Sequence, residues 1–493
     1  MALTAKQAAA RVNALYAELK VRREPVAKRE RYFKGEQPLR YASPEFQRFH
    51  GERFAGYSDN WCGVVGSAAP ELTEFASIHL GDDAEDLSAD ERVLLRDWNL
   101  NDGQSKSSQG FLSGAVTSRS FSMVWGSRDD EPVLTWEHAS QAIVGYEADG
   151  SSQRDALKAW VEDEREYATY FTPDEVWKFE RPKTLGSASG LVLPASFATV
   201  DGGWVPRQPD TDDSWPIPNP LGVVPLVEFP NRPLLGDGPI SDIEGTMAGQ
   251  DAINLMWAYL FGAADYASMP ARVVLGQEPP KVPILDENGQ KVGERPVDIE
   301  QLTRGRMMWL TGQNTSIGQW DSAKLDVFTG VVDTLVKHIG AQTKTPLNYL
   351  GALANVNGET LDGLRTPLHM KVRDGHKHLS GPQRETFRRM ALVRGNTGVA
   401  EACRTAVIGW KNPETSSDAA TSDAALKDKQ IGWSDAGILE RRYGMSQQEI
   451  DKEIQRRRAE AEDPLVQRVL EEAVNGVPPV GERALPDPTG TGA

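Results

Sequence analysis

The stretch ISDIEGTMAGQDAINLMWAYLFGAADYASM, residues 240–269, is the most regular part of the 493-residue chain and decides its fold. Its apolar side chains recur at steps of three and four residues, which predicts an amphipathic helix about 45 Å long. This stripe comprises Ile240, Ile243, Met247, Ile253, Trp257, Leu260, Phe261 and Ala264. Leu255, Met256 and Tyr259 lie off the stripe. More than one face therefore needs an apolar neighbour, in a large core or in another subunit.

A small β insertion is predicted directly after this helix, over residues 271–321. Strands are expected at Arg272–Leu275 and Met307–Leu310. Between them, residues 283–292 predict a hairpin around Asn288-Gly289, because Asn-Gly favours the tight turns that join antiparallel strands.

A second amphipathic helix follows the insertion. Its apolar stripe consists of Leu325, Phe328, Val331, Val332, Leu335, Val336 and Ile339. Thr345-Pro346 stops it, because the residue before a proline disfavours the helical conformation. The centre of the chain therefore has the order helix, small β insertion, helix.

The segments upstream contain both helices and strands. Ser88 and Glu91 have the spacing of a capping box for a helix over residues 89–101. Short β-rich segments between residues 121 and 179 predict an antiparallel meander. Residues 186–218 are rich in Gly, Ser, Pro and Asp, which predicts a long surface excursion.

A buried strand is expected within residues 219–231, ahead of the central helices. Downstream, residues 347–366 predict a Gly- and Asn-containing loop, and residues 367–396 a long basic helix. Residues 397–475 predict short helices, and the Pro- and Gly-rich residues 476–493 are expected to be disordered. The sequence as a whole predicts an α+β protein.

Length and composition point to a soluble protein of several modules. At 54.1 kDa the chain is too long for one hydrophobic core. Cys62 and Cys403 are too few and too far apart for a disulfide framework, which favours free thiols. Residues 1–20 predict an amphipathic helix without the apolar core of a signal peptide, and residues 253–269 are too short and too polar for a membrane span.

The common catalytic motifs do not occur in this sequence. It contains no Gly-Lys-Ser or Gly-Lys-Thr for a phosphate loop. His369, His376 and His378 are more consistent with a polar helix face than with a metal site. The acidic pairs Asp82-Asp83, Asp129-Asp130 and Asp212-Asp213 could hold Mg²⁺ for nuclease chemistry, but their turn-like sequences favour solvated loops. We therefore expect no catalytic residues, no metal and no cofactor.

Charge argues against tight binding of nucleic acid. The formal net charge is −17, so an acidic surface would repel phosphates. The basic stretch at residues 20–31 is the exception; it either forms a solvated helix face or contacts phosphates or an acidic partner.

Several local strings, taken in their order across residues 30–400, resemble the portal proteins of siphophages that infect Gram-positive bacteria. The strings are Arg31-Tyr32-Phe33-Lys34-Gly35, Tyr57-Ser58-Asp59-Asn60-Trp61-Cys62, Asn219-Pro220-Leu221-Gly222-Val223-Val224-Pro225, Glu228-Phe229-Pro230-Asn231, Gln250-Asp251-Ala252-Ile253-Asn254 and Thr345-Pro346. One departure is Asn357-Gly358-Glu359-Thr360-Leu361, where family members often have a Ser-Gly-Glu-Ala-like string.

The resemblance implies a portal fold with an α/β wing, two long stem helices around a small β-containing clip, and a helical crown. The implied parts are an N-terminal arm and wing (1–238), first stem helix (239–270), clip (271–321), second stem helix (322–346), tunnel loop (347–366), wing helix (367–396), crown (397–475) and disordered tail (476–493).

The resemblance also implies a structural protein rather than an enzyme. Portal subunits form a dodecameric ring at the unique capsid vertex of the virion, after assembly in the host cytoplasm. Double-stranded DNA passes through the ring during packaging and ejection, is retained there, and is not bound by sequence. The implied partners are the terminase large subunit, the major capsid and scaffolding proteins and the head-tail adaptor. The alternatives are a metal-dependent phage nuclease and another virion structural protein.

Two sets of functional residues follow. The apolar stripes predict subunit contacts by the stem helices through Ile253, Trp257, Leu260, Phe261, Phe328, Val332, Leu335 and Ile339. The resemblance implies a DNA-channel loop containing Asn355, Asn357, Gly358, Glu359 and Asp362. Its glycines and asparagines favour a mobile turn, and its carboxylates would face passing phosphates; an ordinary surface connection is the alternative.

Overall fold

The protein is described from a computed structural model. The described residues are 3–40, 42–44, 46, 48, 57–81, 88–127, 129–150, 152–183, 203–207, 215–268, 272–275, 281–286, 289–296, 307–310, 316–319, 324–346, 358–414, 418–445 and 447–462.

Runs of strands and runs of helices follow one another along the chain, consistent with the α+β prediction. The helices are α1 (Ala5–Lys34), α2 (Trp61–Ala68), α3 (Ala89–Leu100), α4 (Gly103–Thr117), α5 (Met247–Ser268), α6 (Asp326–Thr343), α7 (Gly358–Val393), α8 (Thr397–Ala402), α9 (Asp418–Ile431), α10 (Asp435–Tyr443) and α11 (Gln447–Glu462). The strands are β1 (Phe75–His79), β2 (Arg119–Gly126), β3 (Pro132–Glu137), β4 (Ala142–Tyr146), β5 (Gln153–Glu162), β6 (Arg165–Phe171), β7 (Glu175–Pro182), β8 (Val205–Pro206), β9 (Ile217–Pro218), β10 (Leu226–Pro230), β11 (Arg272–Leu275), β12 (Lys281–Leu285), β13 (Lys291–Pro296), β14 (Met307–Leu310), β15 (Ser316–Gln319) and β16 (Val407–Trp410).

Helix α1 is longer than the 20 residues that were predicted. It continues through Pro25 to Lys34 and ends at Gly35, whose φ of 75° suits a glycine at a helix C-terminus. Its basic second half binds the chain itself: Arg22 and Arg23 donate to the carbonyl oxygens of Ala142 and Ser140 at 3.1 and 2.9 Å. The basic stretch was expected to be a solvated helix face or a contact for phosphates or an acidic partner. Arg22 and Arg23 instead bind carbonyl oxygens of the same chain.

The predicted meander is two sheets rather than one. Strands β4 to β8 form an antiparallel sheet in sequence order, but β2 and β3 pair with β10 in a separate sheet ordered β10-β2-β3. The sheets share a core in which Phe121 and Leu226 pack with Val144 and Phe171. Burying the apolar residues of β2 against β4 to β6 requires two layers, and this long-range packing overrides the local hairpin pattern.

Helix α1 covers the other face of the sheet β4 to β8. Val12, Leu15 and Leu19 lie on one side of the helix and pack against Leu157 and Phe179, among other residues. Trp204, from the predicted surface excursion, is fully buried in the same core. The excursion prediction was therefore wrong for residues 203–207; residues 184–202 lie outside the described chain.

A third core joins distant parts of the sequence. Strand β1 pairs antiparallel with β16, so that Phe75 lies opposite Trp410. Cys403, Phe387 and Trp98 are buried beneath this pair. Residues 397–410, which were predicted as short helices at the start of a crown, include β16 and contribute to this core; the helices α9 to α11 follow them. The capping box of Ser88 and Glu91 at the start of α3 is confirmed.

Helix α7 begins at Gly358, nine residues before the predicted start of the basic helix. Pro367, where the helix was predicted to begin, lies inside α7, as does Pro382. The expected loop therefore extends no further than residue 357. Residues 347–357 lie outside the described chain, and with them Asn355 and Asn357, as do residues 476–493.

Candidate functional site

The two central helices are the structural centre of the candidate site. Helix α5 begins at Met247, not at residue 240, because the segment before it is held by side-chain and main-chain bonds. Ser241 Oγ donates to the carbonyl oxygen of Val116 at 2.6 Å, and Asp242 N donates to that of Ala115 at 2.8 Å. Apolar periodicity alone could not reveal this competition between side-chain bonds and a further helical turn.

Asp242 also joins three elements at the base of α5. Its buried carboxylate lies 3.0 Å from Arg232 Nε and 2.8 Å from Lys371 Nζ on α7. Removal of Arg232 or Lys371 would leave the buried Asp242 carboxylate with only one positive partner, which is costly. The two ion pairs therefore connect the segment before α5 to α7.

The helices α5 and α6 pack against each other through their predicted stripes. Ile253 on α5 is fully buried beside Val332 and Ile339 on α6, in a core completed by Cys62 and Val65 from α2. Ile253, Val332 and Ile339 were expected to contact a neighbouring subunit. They instead join the two helices within one chain, and Ile253 has no surface left for another contact.

Two of the strings that carried the resemblance bind each other. Gln250 Oε1 accepts hydrogen bonds from Trp61 N at 2.7 Å and Cys62 N at 3.2 Å, and Gln250 Nε2 donates to the Asp59 carbonyl oxygen at 2.5 Å. Asn254 Oδ1 accepts from Asp59 N at 3.3 Å. The amide side chains of α5 thus satisfy the free main-chain groups at the start of α2.

Trp257 takes part in the same contact. Its Nε1 donates to Asp59 Oδ2 at 2.9 Å, and Trp61 Nε1 donates to the same oxygen at 3.0 Å. The Trp257 ring stacks on Phe261 with 5.7 Å between ring centroids. Trp257 was predicted to be a subunit contact. In the structure its indole N–H is instead bonded to Asp59 of the same chain.

A buried tyrosine–carboxylate pair completes this junction. Tyr32 OH, at the end of α1, lies 2.8 and 2.9 Å from the two carboxylate oxygens of Asp251. Burial, followed by this hydrogen bond and the Asp251 charge, raises the pKa of Tyr32, and burial raises the pKa of Asp251. The tyrosine therefore stays protonated and donates throughout the physiological pH range.

The outer surface of the helix pair keeps several accessible apolar side chains among polar ones. Of the predicted contact residues, Leu260, Phe261, Phe328 and Leu335 are half-buried in the single chain. Val327 and Val331 on α6 are 63% and 41% exposed. Val327 was not in the predicted set, because it lies off the stripe that packs against α5; the exposure of a second apolar face could be found only in the structure.

The insertion between these helices consists of two small sheets. Strand β11 pairs parallel with β14 and antiparallel with β15, while β12 and β13 form a separate hairpin. The predicted strands at Arg272–Leu275 and Met307–Leu310 are confirmed, and β15 was missed because SIGQ is short and contains glycine.

The remaining predicted residues fall in separate places. Gly358, Glu359 and Asp362 belong to the first turns of α7 rather than to a loop. Burial, with a contribution from the Arg373 charge, lowers the pKa of His376 to about 4, and its ring stacks on Trp410 at 4.8 Å.

Metal-binding and thiol chemistry find no support in the part of the chain that the structure describes. Within it, no group of three His, Cys, Asp or Glu residues could hold a metal ion. Asp129-Asp130 lies in a turn, while Asp82-Asp83 and Asp212-Asp213 lie outside the described residues. Cys62 and Cys403 are free and buried, and burial raises the pKa of each thiol to about 12. Among the described helices, none is long and apolar enough to span a membrane.

Two phage proteins and one solved structure are similar to this chain. The portal protein of Mycobacterium phage L5 is 25% identical over 230 residues, which cover 46% of each chain. That of Mycobacterium phage D29 is 25% identical over 289 residues, 58% of this chain and 50% of its own. The matches thus span about half the length of these relatives. A structure titled "Virion of native gene transfer agent (GTA) particle" has 12% identity, a TM-score of 0.38, and coverage of 82% of this chain and 94% of its own.

The family profile covers much more of the chain than either relative. The profile described as "Phage portal protein, SPP1 Gp6-like" matches residues 73–464, which include β1, both central helices and α7. The chain therefore belongs to the phage portal protein family of the SPP1 Gp6-like type.

Proposed function

We propose that this portal protein is the subunit of a closed ring through which double-stranded DNA passes during packaging and ejection. The observation that carries the proposal is the apolar surface left on the outside of the helix pair α5–α6. A monomer that exposed these residues to water would lose the free energy that their burial in a subunit interface provides. A ring formed by a head-to-tail interface buries such a surface on every subunit.

The subunit contact is assigned to the side chains that the single chain leaves accessible. Leu260 and Phe261 on α5, and Phe328 and Leu335 on α6, stay in the proposed interface, and Val327 and Val331 are added to it. Each is half-buried or exposed in the single chain. Twelve copies, placed at one vertex of the virion, remain the expectation from the family resemblance.

The insertion and the flanking segments take the roles that the resemblance implies. Residues 271–321 are proposed as the clip, with the head-tail adaptor and the terminase large subunit as partners at that end. Residues 347–357 are proposed as the tunnel loop, with Glu359 and Asp362 near its junction with α7. Carboxylates at this place would repel DNA phosphates and let the duplex slide. Capsid and scaffolding proteins would contact the wing.

The proposed interface is tested by Val327→Asp, with Val21→Asp as the matched control. Both valines are exposed and lie on helices, but Val21 is on α1, outside the proposed contact. The wild-type protein and Val21→Asp are expected to form closed rings on electron-microscopy grids and in mass photometry. Val327→Asp should reduce the ring fraction at least tenfold, since an unpaired carboxylate would be buried in the contact. Equal ring fractions for the two variants would refute this interface.

The transport role is tested by catalytic and binding assays on the purified rings. They should hydrolyse neither ATP nor duplex DNA in the presence of Mg²⁺, and their affinity for duplex DNA at about 150 mM salt should be weaker than micromolar, as expected of an acidic protein with a net charge of −17. Metal-dependent cleavage by pure protein, lost on addition of EDTA, would favour the nuclease alternative instead.

A further inference from the structure

The surface of this acidic protein is locally positive in one cleft. The cleft has a volume of about 530 Å³ and lies between the turn that joins β4 to β5, the loop before β10, and the second half of α7. Among the described residues that line it are Arg388, Arg389 and Arg404 and one carboxylate, Glu385. Three guanidinium groups thus face one carboxylate in a chain whose net charge is −17.

Arg389 is a fixed part of the wall. Its Nε donates to the Val224 carbonyl oxygen at 2.7 Å, its Nη2 donates to Gln153 Oε1 at 2.8 Å, and its Nη1 lies 2.7 Å from Glu385 Oε2. These bonds hold the two sides of the cleft together. Because Glu385 forms its short ion pair with Arg389, its carboxylate neutralises the charges of Arg388 and Arg404 only weakly.

Arg388 and Arg404 each have guanidinium N–H donors that are not used in the bonds described for them. Arg388 meets Glu385 through Nη1 at a long 3.3 Å, and its buried Nε has no hydrogen-bond partner among the described residues. Arg404 is mostly exposed, and its ion pair is with Glu401, which lies outside the cleft lining. The Arg388 Nε is shielded from the cleft, so the donors available to an anion there are the terminal guanidinium nitrogens of Arg388 and Arg404 that are not bonded to Glu385 or Glu401.

We propose that this cleft is an oxyanion-binding site, in which the guanidinium groups of Arg388 and Arg404 hold a carboxylate or phosphate group. Guanidinium forks match the geometry of both groups and bind them through paired hydrogen bonds. The volume lies in the range of ligand-binding clefts and exceeds what one small ion needs. Apolar side chains such as Val223 and Pro173 line the same cleft, so the ligand carries apolar atoms beside its charged group.

The test measures the melting temperature of the full-length protein with added anions at constant ionic strength, with chloride as reference. Inorganic phosphate, glutarate and a hexaglutamate peptide are the probes. At least one should raise the melting temperature saturably by about 2 °C or more. Arg388→Gln and Arg404→Gln should each reduce the effect, and the double variant should abolish it.

The matched control is Arg373→Gln, an exposed arginine on the same helix that pairs with Glu414 outside the cleft. It should respond to the anions as the wild type does. Saturation by phosphate or glutarate assigns the site to a free anion, and saturation by hexaglutamate alone assigns it to an acidic protein segment. No shift beyond that in chloride, or an equal shift in the double variant, would overturn the proposal. The assay does not require rings, so its result is independent of the proposed transport role.

Discussion

The N-terminal α/β region and the central helix pair use apolar residues in opposite ways. In the first region, α1 and the sheet β4 to β8 enclose most of their large apolar side chains, and Trp204 and Phe179 have no exposed surface. In the second, α5 and α6 bury one stripe between them and leave another, including Val327, open to solvent. The core of the first region closes within one chain, whereas the proposed ring would cover the exposed apolar side chains of the second.

The largest effect on folding is expected from Trp204→Ala. Trp204 is fully buried, and its Nε1 donates to Asn13 Oδ1 at 2.9 Å. Replacement should lower the free energy of unfolding by about 3–5 kcal/mol, because it leaves a large cavity. Urea denaturation followed by circular dichroism measures this loss. Trp433→Ala removes a tryptophan that is 44% exposed and should cost far less; equal losses would show that the first core is not closed.

A pH-dependent loss of stability is expected from His376. Because its pKa is lowered from 6.5 to about 4, the unfolded chain binds a proton more readily than the folded chain between these values. Stability should therefore fall as the pH drops from about 6.5 to 4, by up to about 3 kcal/mol. His376→Phe keeps a ring to stack on Trp410 and should remove this component in denaturation curves at pH 7 and 4.5. His378→Phe, two residues along α7, should keep it; if both variants behave alike, the loss arises elsewhere.

A moderate effect is expected at the junction between the two regions. Gln250→Leu would leave the main-chain N–H of Cys62 without its acceptor and that of Trp61 with only the Asp59 carbonyl oxygen, at a cost of about 1–3 kcal/mol. Urea denaturation should show this loss, while Gln430→Leu, at an exposed position on α9, should leave the midpoint nearly unchanged. A Gln250→Leu protein as stable as the wild type would mean that α2 is held by apolar contacts alone.

The smallest effect on stability is expected from the hairpin of the insertion. The apolar side chains Val282, Ile284, Leu285 and Val292 of β12 and β13 are all exposed. Replacing residues 281–296 by a short Gly-Ser linker should change the free energy of unfolding by less than about 0.5 kcal/mol. A large loss of stability in the linker variant would place this hairpin in the folded core, contrary to its exposure.

Sequence reasoning succeeded where structure depends on local spacing. The capping box at Ser88, the central helices and the strands at residues 272–275 and 307–310 were predicted because each signal lies within a few residues. It failed where partners are remote. No local pattern links β1 to β16, nor shows that Ser241 would bind the end of α4 rather than extend α5.

The candidate site shows the same division. The apolar stripes of α5 and α6 were visible in the sequence, but which side would face the partner helix was not. Ile253, Val332 and Ile339 were consequently assigned to a neighbouring subunit, although they pack within the chain. Periodicity identifies an apolar face, whereas the choice between an intrachain and an interchain partner depends on the three-dimensional arrangement.

The pairing of β1 with β16 has a consequence for how the protein is made. Phe75 and Trp410 lie opposite each other, so the core beneath them cannot close on the ribosome until nearly all of the chain has been synthesised. Contacts of such long sequence separation also slow folding, because a large loop must be closed before they form. Helices α5 and α6, made in the interval, leave the ribosome before this core has formed. Newly made chains are therefore expected to need protection from premature association until this core has formed.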